Sequence, residues 1–251
     1  MFAALLTATQ SMTRIPVPSP PRAPDAALLG QSAIFYPVIG MLLGLAGFGL
    51  YRLLDPFLPR DIVMLLVLAL WVLLTGALHD DGLADAADAF GSQPTPEKIL
   101  TVLKDSRIGT YGTVAIVLSM LLRWRGLAAI ESDYILAACV VSQVIPRTGI
   151  LYLAAWAGPA TSGSGGSFAL GLRAWHLIGA TLVAGILVAS IWPPMPSVIW
   201  AVAACGLILV LLKFYFHRRL GGITGDCLGA AVQFQEIAIL LTLLVWMGSA
   251  S

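Results

Sequence analysis

The chain has 251 residues, of which 59% are hydrophobic and 11% charged, with a mean hydropathy of +0.90. Soluble domains carry roughly 25% charged residues, so this composition describes an integral membrane protein and excludes a soluble globular enzyme. The net charge of +1, with 14 Lys and Arg scattered along the chain, supplies no basic field for nucleic acid, and Cys139, Cys205 and Cys227 are too widely spaced for a disulfide framework or a CxxC metal site.

The first residues lack the basic start of a cleaved signal peptide, and Pro16, Pro18, Pro20, Pro21 and Pro24 make the leader that follows irregular. A helical span needs about 20 apolar residues. Apolar runs predict spans over 34–54, 62–79, 109–122, 134–157, 174–192, 197–216 and 235–249. The third is cut short by Arg123 and Arg125, and the last is brief. Between the runs, Gly163-Ser164-Gly165-Gly166 reads as a flexible loop and Pro193, Pro194 and Pro196 as a tight turn. No internal repeat or separate soluble domain is visible. The expected fold class is all-α: a polytopic integral membrane helical bundle of about seven transmembrane helices, forming a single membrane-embedded domain over residues 1–251. Gly-rich spans such as the one holding Gly40, Gly44 and Gly47 suit close helix packing and allow contacts between protomers of a homo-oligomer.

Basic residues collect in cytoplasmic loops. With the N-terminus cytoplasmic, that side holds Arg14, Arg22, Lys98, Lys104, Arg107, Arg173, Lys213, Arg218 and Arg219, and the other holds Arg52, Arg60, Arg123 and Arg125. Nine against four favours this orientation. It also brings the segments 80–88, 91–108, 158–173 and 217–234 onto one face.

Those segments carry the chemistry. Asp80, Asp81, Asp85 and Asp88 place four of the chain's 13 acids in nine positions. On a helix Asp81, Asp85 and Asp88 share one stripe, where like charges repel and a hard divalent cation turns the repulsion into binding. Asp80 alone reads as a solvated helix end or as part of the cluster, and the neighbouring His79 as a metal ligand or as a partner that orients an Asp. Lys104, Asp105, Arg107 and Thr110, with Gly109 and Gly112, have the composition of a phosphate-holding segment before a span. The stretch Gly221 to Gly229 is similar in character, with Asp226 as a further candidate ligand. Arg147 lies inside apolar sequence, where a charge is costly unless paired; its partner is a phosphate, an Asp carboxylate or a salt bridge within the bundle.

The leader Thr13-Arg14-Ile15-Pro16-Val17-Pro18, the stretch Phe35-Tyr36-Pro37-Val38-Ile39-Gly40, the cluster from Thr75 to Asp88, the Lys104–Gly112 segment and the Gly221–Ala230 segment follow one another as they do in cobalamin synthase, the adenosylcobinamide-GDP ribazoletransferase family, which the chain resembles over nearly its whole length. DGLADxxD and KDSRxGTxG are long, specific motifs. Ala89, Cys227 and Gln233-Phe234-Gln235 depart from the usual pattern, while Glu236 keeps it. The resemblance implies a Mg2+-dependent transferase, with Mn2+ as a substitute. It would join adenosylcobinamide-GDP to alpha-ribazole or alpha-ribazole 5'-phosphate, release GMP and complete the nucleotide loop of cobalamin. It further implies catalytic and metal-binding roles for Asp81, Asp85 and Asp88, one of them, Asp88 foremost, as general base. Asp226 is implied as a fourth ligand, and Arg14, Lys104, Asp105, Arg107, Thr110, Arg147 and Thr224 as substrate or phosphate contacts. The expected location is the bacterial inner (cytoplasmic) membrane, in contact with lipid and with the active site facing the cytoplasm. A cation-coupled membrane transporter is the competing reading, because it too would carry intramembrane acids and a buried Arg.

Overall fold

An 87° corner between two helices organises the site end of the molecule. The computed structural model describes residues 1–20, 23–160, 164–191 and 196–250; the readings placed on Pro21, Arg22, Gly163, Pro193 and Pro194 lie outside them. The described chain is helical, without a named strand: α1 (Phe2–Met12), α2 (Ala26–Ser32), α3 (Tyr36–Leu54), α4 (Arg60–Thr75), α5 (Leu78–Ser92), α6 (Pro96–Val102), α7 (Thr110–Ala129), α8 (Ile135–Ala157), α9 (Ser164–Gly171), α10 (Ala174–Ile191), α11 (Pro196–Leu220) and α12 (Gly225–Ala250). Among the described residues six helical segments are long and apolar enough to cross a membrane, seven if the bent pair α4–α5 counts as one. The chain is an all-α multi-pass membrane protein, as expected.

Helix α8 is the hub. Of its most apolar window 83% is buried, against 22% for those of α10 and α11, which face outward. Alpha3 reaches α8 closely because it presents glycines: a Cβ on Gly40 would collide with Gln143 O, and one on Gly44 would stand 2.6 Å from Val140 Cα. Trp71 of α4 crosses Gly47 and donates its Nε1 to Leu43 O at 2.8 Å, so α3 and α4 are tied by a buried polar bond as well as by packing. An apolar cleft of about 1160 Å³, lined in part by Tyr152, Trp156, Val202 and Leu209, lies among α8, α10, α11 and α12, and none of the aspartates borders it.

Four boundaries differ from the sequence reading, each for a physical reason; the expected 62–79 span stops at Thr75, where Gly76 and Ala77 take positive φ and turn the chain. Helix α7 runs on to Ala129, because Arg123 is 3% exposed and ion-paired where its charge was expected to end the span. Alpha12 begins at Gly225, so the expected 217–234 loop shrinks to a short turn between α11 and α12; the polar Gln233, Gln235 and Glu236 are buried helical residues. The 158–173 loop contains α9, whose Gly171 packs on Gly30 of α2 with no room for a side chain.

Candidate functional site

The corner itself is made by Gly76 and Ala77, with φ of 64° and 58°. Glycine takes that conformation freely, whereas Ala77 has a Cβ and bears about 1–2 kcal/mol of strain. The leader braces it. Arg14 N donates to Leu74 O at 2.7 Å, and the Arg14 side chain lies so close over Gly76 that a Cβ there would overlap it. The exposed Arg14 thus sits against the start of the aspartate helix.

After the corner, α5 turns its four acids in different directions. Asp80 is buried and pairs with Arg123 Nη2 at 2.6 Å, so it is not a solvated helix end. Asp81 is exposed and Asp85 half-buried. The charges of Asp81, Asp226 and Asp88 all bear on Asp85, and that of Asp81 bears on Asp226, so the acids of α5 and the first turn of α12 form one field. Small residues permit this: a Cβ on Gly82 would lie 3.0 Å from Asp226 O and 3.1 Å from Gly229 Cα. Thr224 Oγ1 donates to Asp226 Oδ2 at 3.2 Å and orients that carboxylate.

Asp88 performs a different task from its neighbours. Its Oδ2 accepts from Gly109 N at 2.7 Å and its Oδ1 from Gly112 N at 2.9 Å. A carboxylate is thereby set on the free N–H groups of the α7 N-terminus, where the helix dipole favours it. These bonds dock the Lys104–Gly112 segment on the aspartate helix, and they require glycine, since a Cβ on Gly109 or Gly112 would overlap the Asp88 carboxylate. Lys104, Arg107 and Thr110 are exposed on the docked segment. Asp105 and Arg107 form an ion pair of 2.6 Å there, and the guanidinium holds the Asp105 carboxyl down at about 2. Alpha11 and the turn after it close the rim: Arg219 Nη2 of α11 donates to Gln93 O at 2.6 Å and to Phe90 O at 3.3 Å, and Ile223 N of the turn donates to Gly158 O at 3.0 Å.

The structure therefore brings Asp81, Asp85, Asp88, Asp226, Thr224, Arg14 and the 104–112 segment to one end of the bundle. Arg147 stands apart. It is 1% exposed, donates to Gln143 O and Oε1 at 3.0 and 2.9 Å, and lies 3.7 Å from Glu236, which makes it part of a buried ion network rather than of the open face. His79, 4% exposed, borders the same network. Sequence reasoning missed Arg123, Glu236 and Gln143; the signal was present, since two intramembrane cations need two intramembrane acids.

Hard carboxylate oxygens suit a divalent cation of the Mg2+ class. Among the described residues no three acidic, His or Cys side chains converge into a metal cage; Mg2+ is commonly held by one or two carboxylates with waters and substrate phosphates. Asp81, Asp85 and Asp226 are the acids left on this face once Asp80 and Asp105 are ion-paired and Asp88 is bound to Gly109 and Gly112.

Comparison with known proteins covers nearly the whole chain. Residues 4–244 match the model of the cobalamin-5-phosphate synthase family. Curated proteins named adenosylcobinamide-GDP ribazoletransferase are similar throughout: that of Ralstonia pickettii (strain 12J) is 40% identical, covering 98% of this chain and 96% of the relative. That of Bradyrhizobium diazoefficiens is 38% identical, covering 96% and 93%, and that of Geotalea daltonii 34%, covering 97% of each. No solved structure matches.

Proposed function

We infer from its membership of the cobalamin-5-phosphate synthase family that this chain is an adenosylcobinamide-GDP ribazoletransferase, an enzyme of the final nucleotide-loop assembly in cobalamin biosynthesis. The observation that carries the site is the docking of the 104–112 segment on the aspartate helix through Asp88, which brings the exposed Lys104 and Arg107 to the same end of the bundle as the exposed Asp81 and the half-buried Asp85.

In the proposed reaction a ribose hydroxyl oxygen that alpha-ribazole and its 5'-phosphate have in common, and so not the 5' oxygen, attacks the phosphorus attached to the cobinamide. The bridging P–O bond breaks, and GMP departs with the bridging oxygen. A divalent cation, Mg2+ in this proposal, would neutralise charge on the bridging phosphates when bound, held by Asp81, Asp85 and Asp226. Lys104, Arg107 and Arg14 bind phosphate oxygens by charge, with Thr110 adding a hydrogen bond. The hydroxyl proton passes to a carboxylate. Both oxygens of Asp88 already accept backbone N–H groups, which favours Asp85 as the general base and leaves Asp88 as the anchor of the phosphate segment.

The proposed orientation has this end in the cytoplasm of a bacterial inner membrane, because Arg14, Lys104, Arg107 and Arg219 lie at it and basic residues collect on the cytoplasmic side. The test of the activity is direct. Purified protein given adenosylcobinamide-GDP and alpha-ribazole should release GMP only with Mg2+ or Mn2+ present; intact corrinoid after long incubation with either acceptor would refute the reading. A transporter would instead bind the corrinoid or an ion without hydrolysing or transferring the pyrophosphate.

A further inference from the structure

Behind the open face lies a second polar cluster that the reaction as described does not use. Arg123 of α7 donates from Nη2 to Asp80 of α5 at 2.6 Å and from Nη1 to Glu236 of α12 at 3.0 Å. Glu236 in turn lies 3.7 Å from Arg147 of α8, which holds Gln143. All four charged groups are at most 6% exposed. Two cations face two acids, so the cluster is neutral as a whole and tolerable at membrane depth.

Its position is informative. Each of α5, α7 and α12 contributes one charged group to this cluster and, at its site end, one component of the transfer face: the aspartates, the docked phosphate segment and Asp226. Asp80 stands three residues after the strained Ala77 and directly before Asp81. Consecutive helical residues diverge by about 100°, so holding Asp80 inward on Arg123 aims Asp81 outward, where it is exposed. A guanidinium fork that meets two carboxylates on different helices also fixes the rotation of both relative to its own. An apolar core of equal volume would hold these helices together without specifying that rotation.

We propose that Asp80, Arg123 and Glu236 are positioning residues for the transfer reaction: the guanidinium of Arg123 sets the aim of the aspartate helix and of the α12 start, and so the alignment of Asp81 and Asp85 with Asp226. The proposal rests on the transferase reading above. It is tested with purified Asp80→Asn, Glu236→Gln and Arg123→Lys, comparing kcat and KM for both substrates per folded molecule, with helix content and monodispersity defining the folded fraction. Arg123→Lys keeps the buried charge but cannot bridge both acids in one plane, so it separates aiming from charge compensation and is informative even if a neutralised variant does not fold. Expected is a fall in kcat of at least tenfold in every variant that folds, Arg123→Lys included, with KM values within about threefold of the wild type. A kcat per folded molecule within twofold of the wild type in Arg123→Lys overturns the proposal, as does a loss that appears wholly in KM or wholly in the folded fraction. Absence of GMP release by the wild-type protein in the same assay would count against the transferase reading instead.

Discussion

Replacing Asp88 by Asn separates anchoring from metal binding. The carboxylate accepts two backbone N–H groups, Gly109 at 2.7 Å and Gly112 at 2.9 Å. Asn keeps the shape but presents NH2 to one of those donors. One charge-assisted bond is lost, worth about 1.5–3 kcal/mol. The other becomes a neutral bond, and the favourable charge at the α7 N-terminus disappears, worth about 0.3–1 kcal/mol near a surface. Because these contributions overlap, the net cost to docking the 104–112 segment is about 2–4 kcal/mol, a shift of roughly 30- to 700-fold in its docking equilibrium. Amide hydrogen exchange over residues 104–113 should accelerate accordingly, and GMP release should fall by at least tenfold with the bundle still folded. Gly112→Ala should act in the same direction, since its Cβ would overlap Asp88 Oδ2. Unchanged exchange and unchanged turnover in Asp88→Asn would refute the anchoring role; unchanged exchange with a tenfold weaker response to Mg2+ would assign Asp88 to the metal instead.

Other consequences are equally open to measurement. Gly76→Ala places a Cβ at φ 64° and against the Arg14 side chain; it should lower the thermal midpoint through a loss of roughly 1–2 kcal/mol, and an unchanged midpoint would show that the corner relaxes freely. The Asp105 carboxyl is held down to about 2 by Arg107, below its usual unfolded value of about 3.9. Its stabilising contribution is therefore present above about pH 4 and lost only as pH falls from there toward 2. Accordingly, Asp105→Asn should leave the shape of the activity–pH profile unchanged between pH 5 and 9, and removal of an inflection in that range would contradict the pairing. All three native thiols are buried, so single engineered cysteines report topology cleanly: an impermeant maleimide applied to intact cells should label Asp55→Cys and spare Ser106→Cys, and the opposite pattern would reverse the proposed orientation.

The sequence foretold the fold where a single physical rule dominated. Long apolar runs became spans at nearly the expected positions because lipid demands internally bonded helices. It misled where charges were satisfied by distant partners: Arg123 looked like the end of a span only because Asp80 and Glu236, 43 and 113 residues away, were not yet its neighbours. The aspartate stripe was legible from spacing alone, yet its division of labour was not. Asp80 and Asp81 are chemically identical and differ only in the direction that the corner at Gly76 and Ala77 gives them. Likewise Gly109 and Gly112 read as generic phosphate-loop glycines, whereas their N–H groups face a carboxylate of the same chain.

The central claim, that the open aspartate face performs the transfer, is tested most directly by GMP release from adenosylcobinamide-GDP with alpha-ribazole and Mg2+ in the wild type, Asp81→Ala, Asp85→Ala and Asp133→Ala. Asp133 is an exposed acid between α7 and α8, at the opposite end of those helices from the docked segment. Release should fall by at least a hundredfold in Asp85→Ala and at least tenfold in Asp81→Ala, while Asp133→Ala keeps wild-type turnover. Full turnover in folded Asp81→Ala and Asp85→Ala would contradict the account.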